Sequence, residues 1–97
     1  MKDAFTLEQV DDCCLVSGVL DFTTASRALE RIGAMVRASD QLQVSFAKTT
    51  RCNSAALALM IELKAIARRA GHQVTFSDVP EGLGQLAKVC QVDCFIA

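Results

Sequence analysis

The chain has 97 residues, 52% of them hydrophobic and 22% charged, which allows one domain with a real core and not two. A formal net charge of −1 and the lack of any Lys/Arg run leave no basic footprint, so neither a nucleic-acid partner nor contact with lipid headgroups is expected. Met1 to Phe5 carries no apolar signal region, and no apolar stretch approaches the roughly 20 residues that span a bilayer, which predicts a cytoplasmic chain without direct membrane insertion.

Two apolar runs, Phe5 to Val10 and Cys13 to Ser17, flank Asp11 and Asp12 and predict a β-hairpin. Gly18 and Asp21 are expected to break the second strand, and Thr23 or Thr24 to cap a helix. That helix carries Ala25, Ala28, Leu29, Ile32, Met35 and Val36 at helical spacing and ends near Ala38, Ser39 and Asp40. Leu42 to Phe46 alternates apolar and polar residues as a third strand, and Ala47 to Arg51 is expected to be a polar loop.

The next helix, from Ser54 to about Ala70, stops at Gly71 after Arg68 and Arg69. Wound at about 100° per residue, one arc collects Ala56, Leu59, Met60, Leu63, Ile66, Ala67 and Ala70 without a charge and predicts the core face. The opposite arc holds Ser54, Leu57, Ala58, Ile61 and Ala65, with Glu62, Arg68 and Arg69 at its edges. An apolar strip with a charged rim, starting at a hydroxyl on a helix N-terminus, reads as a docking surface. The alternative is a second layer of the same protein over Leu57 and Ile61.

Gln73 to Ser77 reads as a fourth strand. Pro80 is tolerated in the first turn of a last helix with Leu83, Leu86, Ala87 and Cys90 on one stripe, and Val92 to Ala97 forms a short strand or a docked extension. The order ββαβαβα predicts an α/β fold: a mixed sheet of four to five strands, largely parallel behind the hairpin, in a single domain over residues 1–97. Cys13, Cys14, Cys52, Cys90 and Cys94 lack paired CxxC spacing and His72 stands alone. No disulfide framework, metal site or cofactor is therefore expected, and the cysteines read as reduced packing residues.

Three segments carry a resemblance. Leu15-Val16-Ser17-Gly18-Val19-Leu20-Asp21 looks like a strand followed by G-x-L/I-D, and Asn53-Ser54-Ala55-Ala56-Leu57-Ala58-Leu59 stands where D-[ST]-[SAG]-G precedes an apolar helix. Val79-Pro80-Glu81 with Leu83, Leu86, Ala87 and Val89 is similar to a closing V-P-x-x-L-x-x-L-A. In this order and spacing they resemble the STAS domains, shared by anti-sigma factor antagonists, transporter tails and the MlaB-like subunits of lipid ABC transporters.

The resemblance implies that Ser54 begins the helix facing a partner. In the antagonists the hydroxyl at that position is phosphorylated by a partner kinase; in MlaB-like proteins it is implicated in contact with the transporter ATPase. Asn53, a good helix cap, replaces the usual acid, Ser45 replaces an acid at the end of the preceding strand, and Ala56 replaces a glycine. These departures are read as removing negative charge around Ser54, which weakens the phosphorylation switch more than the scaffold.

The expected function is thus a non-catalytic subunit binding the cytosolic ATPase of an MlaB-like phospholipid transporter, held at the inner membrane through that partner. Its partner-binding residues are Ser54, Asn53, Leu57, Ala58, Ile61 and Ala65, and the same strip would also serve a homodimer. The alternative is an anti-sigma factor antagonist whose kinase phosphorylates Ser54. An enzyme is not expected, because the lone histidine is far in sequence from Ser54 and neither Arg51 nor Asn53 gives Cys52 a general base.

Overall fold

In a computed structural model that describes residues 5–96, the chain runs β1 (Phe5–Val10), β2 (Cys13–Leu20), α1 (Ala25–Ala38), β3 (Gln41–Cys52), α2 (Ser54–Ala70), β4 (Gln73–Ser77), α3 (Glu81–Val89) and α4 (Asp93–Ile96). One four-stranded sheet has the order β1-β2-β3-β4. The hairpin pairs antiparallel, whereas β2 with β3 and β3 with β4 pair parallel. Helical crossovers after β2 and β3 make those parallel pairings possible. They also run α1 and α2 side by side in the same direction on one face of the sheet.

Alternation sets that face. Phe5, Cys14, Val16, Leu20, Leu42, Val44, Phe46 and Val74 are buried under the helices, and Ala28, Ile32, Val36, Met60, Leu63 and Ala67 meet them from α1 and α2. Phe5 is covered in turn by Arg27 and Arg31, with guanidinium carbons 5.9 and 5.6 Å from its ring centroid. At Gly33 of α1 an added methyl group would stand 3.2 Å from Ile66 Cδ1, so the bare backbone sets the helix-to-helix approach there.

Several expectations are corrected. Gly18 does not end β2: it takes φ +94° within the strand, which continues to Leu20. Ala47 to Arg51 is not a loop, because β3 runs on to Cys52 through register shifts against β2 between Leu15 and Ser17 and between Gly18 and Val19. Such bulges let a polar stretch stay in the ladder while side chains change face. Thr24 is the N-cap of α1, but its hydroxyl does not cap; it donates to the Val19 carbonyl and accepts from the Asp21 amide.

The tail is a four-residue helix docked by Val92 and Ile96, not a strand; Ala97 lies outside the described residues. Ala70, placed on the core face by the helical wheel, is exposed at the C-terminus of α2. The cysteines do not all pack. Cys14 is buried, Cys13 and Cys52 are half-buried, and Cys90 and Cys94 are exposed; all five are free thiols.

Candidate functional site

The N-terminus of α2 follows directly from β3. Asn53 is the cap: its side-chain oxygen accepts from the Ala55 amide at 2.9 Å, and its own amide donates to the Leu20 carbonyl at 3.3 Å. This second bond ties the start of α2 to the turn after β2, where Asp21 Oδ1 accepts from the Thr23 amide and hydroxyl. Those bonds, the hydroxyl's first, hold the Asp21 carboxyl below its ordinary range, with Arg51 adding a smaller pull.

Because Asn53 does the capping, the exposed Ser54 hydroxyl makes no hydrogen bond to another described residue. Neither α1 nor α2 has an acidic residue in its first turn; the Asp21 carboxylate stands just ahead of α1, whereas Asn53 gives the start of α2 no charge. A cleft of about 200 Å³ lies beside Asn53, lined by Thr49, Arg51, Pro80, Gly82, Leu83 and Leu86 among others.

The expected docking strip is corrected in part. Ser54 and Ala58 are exposed, and Ile61 and Ala65 are half-buried, but Leu57 is only 5% exposed and belongs to the core. Ala55, Leu59 and Glu62 mark the flank of α2 toward α1. Leu57 points to the other flank, where α3 and α4 pack against α2. Leu57 and Ile61 are thus covered by a second layer of this same chain, fully and partly respectively. What α2 offers to a partner is a narrow track of small groups, Ser54, Ala58 and Ala65, with the edge of Ile61.

Ser45 is also corrected. It lies nine residues before Ser54 along an extended strand, roughly 20 Å or more away, so its lack of charge does not alter the surroundings of Ser54. Buried within β3, it places its hydroxyl 3.4 Å from Oδ2 of Asp78, the residue that follows its β4 neighbour Ser77.

Sequence reasoning missed Phe22. This ring is 75% exposed in the turn between β2 and α1, beside Ala25, Ser26, Leu29, Ala55 and Ala58. Its signal was available: an aromatic residue between two turn formers, Asp21 and Thr23, outside any apolar period. Among the described residues no three His, Cys, Asp or Glu side chains stand close enough to share a metal ion, and no helix is long and apolar enough to cross a membrane.

A four-stranded mixed sheet covered on one face by helices defines an α/β protein of two layers, and sequence comparison gives the family. The chain belongs to the STAS family: the family model described as "Mlab, STAS domain" matches residues 5–96. No curated protein matches the sequence.

Among solved structures, the anti-sigma factor antagonist SpoIIAA in its unphosphorylated form superposes with a TM-score of 0.73 at 13% identity, over 97% of this chain and 86% of that one. The Bacillus cell fate determinant SpoIIAA in its phosphorylated form gives 0.71 at 13% identity, over 97% and 89%. An anti-sigma factor antagonist from Mycobacterium paratuberculosis gives 0.60 at 22% identity, over 88% and 80%. At these identities the likeness concerns the fold.

Proposed function

We propose that this protein is a non-catalytic interaction subunit that binds the cytosolic ATPase of an MlaB-like lipid ABC transporter, and so sits in the cytoplasm against the inner membrane through that partner. The observation that carries the reading is the match of residues 5–96 to the MlaB type of STAS domain. The exposed start of α2 supports it, since Ser54 offers an uncommitted hydroxyl at the positive end of the helix and Ala58 allows close approach.

A second reading, an antagonist switched by phosphorylation of Ser54, draws on the likeness to SpoIIAA and on the exposure of that hydroxyl. Asn53 and the fully buried Ala56 still stand against it, as departures from the phosphorylated pattern; Ser45 no longer does.

Purification from the native cell decides. A scaffold co-purifies with a transporter ATPase and has an unmodified intact mass. Ser54→Ala then weakens binding by about 1 kcal/mol, one lost hydrogen bond, and Ser54→Glu weakens it more. A stoichiometric phosphate on Ser54, with a kinase as the bound protein, would replace this reading with the second.

A further inference from the structure

Ser54, Ala58, Ile61 and Ala65 succeed one another at steps of four, three and four residues, and so form a single stripe along α2. The first half of the stripe is exposed and the second is half-buried. The cleft that joins Asn53 to Pro80, Leu83 and Leu86 sets the start of α3 beside the start of α2. α4, which follows α3 and also packs on α2, therefore falls further along, against the turns that carry Ile61 and Ala65. The cover over that half of the stripe is the tail of this chain.

That cover is lightly held. α4 is four residues long and has no buried residue. Val92 and Ile96 dock it, both only half-buried, while Asp93, Cys94 and Phe95 are exposed. The turn before it closes with the Gln91 and Val92 amides donating to the Lys88 and Ala87 carbonyls, and the Phe95 amide bonds only within the tail, to the Val92 carbonyl. Gln91 occupies the left-handed position of this turn at φ +59°, where glycine is usual. A strained hinge followed by few apolar contacts marks a segment that opens without the rest of the domain. α3, by contrast, buries Leu83 and Ala87 and stays in place.

We infer that α4 is a displaceable strap: it closes over the second half of the α2 stripe in the free chain, and the partner protein takes its place against Ile61 and Ala65. The inference rests on the interaction-subunit reading and adds to it a competition between tail and partner for one surface. What leaves the site is the aliphatic side chain of Ile96, so the partner fills it with an apolar side chain of its own. Opening the strap extends the exposed stripe from Ala58 to Ala65, a track of about 16 Å from Ser54.

Native-state hydrogen exchange on the full chain reads the strap directly. The Phe95 amide should exchange through a local opening, at least about tenfold faster than the Leu63 amide of α2 and with little response to low urea. Ile96→Ser should speed it further, and Cys94→Ser, exposed on the same helix, should not. In the complex purified from the native cell the Phe95 amide should lose its protection, and Ile96→Ser should bind that partner several-fold tighter, by the fraction of chains in which the strap had been closed. A Phe95 amide that exchanges only with global unfolding, or an Ile96→Ser chain that binds no tighter, would overturn the strap. If the partner is retained and the tail keeps its protection, the strap is wrong and the interaction subunit stands. If the unaltered chain retains no partner, both fall.

Discussion

Leu57→Ala tests which way α2 faces. Leu57 is 5% exposed and sits in the core on the flank that α3 and α4 cover, so truncating it leaves a cavity that the surrounding helices can only partly close. Buried Leu→Ala changes cost about 2–5 kcal/mol, and a central value of about 3 kcal/mol is expected here. At about 4–8 °C per kcal/mol for a domain of this size, the melting temperature should fall by roughly 12–24 °C. Ala58→Asp, one residue on but exposed, should change stability by no more than about 0.5 kcal/mol. The chain has no Trp or Tyr, so urea unfolding is best followed by far-UV circular dichroism, with equal m-values confirming that the denatured state is unchanged. A Leu57→Ala variant that loses less than about 1 kcal/mol while losing its partner would refute the assignment and return Leu57 to the docking surface.

Burial raises the Cys14 thiol from the ordinary 9.0 to about 11, with Cys13 adding to the rise and Arg31 opposing it. Between those values the unfolded chain ionises and the folded one does not, so stability falls as pH rises. Urea midpoints across that range should decline in the wild type and decline less steeply in Cys14→Ala. Gly71 caps α2 at φ +73° while its amide and that of His72 bond to Arg68 and Ala67 carbonyls, so Gly71→Ala should cost about 1 kcal/mol by the same unfolding assay. Thr23→Ala removes the largest cause of the depressed Asp21 pKa, and a carboxyl titration followed by NMR should show it rising; an unchanged midpoint would mean that the turn is held otherwise.

The fold was legible where periodicity was long. Ile32 and Val36 on α1, and Leu59, Leu63 and Ile66 on α2, repeat at helical spacing and are all buried, and Leu42 to Phe46 alternates as a strand. The second half of β3 was not legible. Lys48 to Arg51 is polar because it lies near the sheet's end, and its pairing with Ser17 to Val19 depends on shifts that no short-range pattern encodes. Gly18 was misread for a related reason: a glycine inside a bulged parallel pair and a glycine ending a strand look alike until the partner strand is known.

The site was legible at Ser54 and Asn53, whose roles are local, and blurred at Leu57, whose role is not. A helical wheel ranks residues by direction, but only neighbours decide which directions are covered. α2 needs three flanks filled, by the sheet, by α1, and by α3 with α4; the last is supplied by a tail whose docking residues, Val92 and Ile96, lie more than thirty positions away. Once that flank is taken, the exposed arc of α2 is too narrow and too small-chained to anchor a partner alone. The large exposed apolar side chain beside that arc is Phe22, in a turn fixed to the same helix start by the Asn53 to Leu20 hydrogen bond.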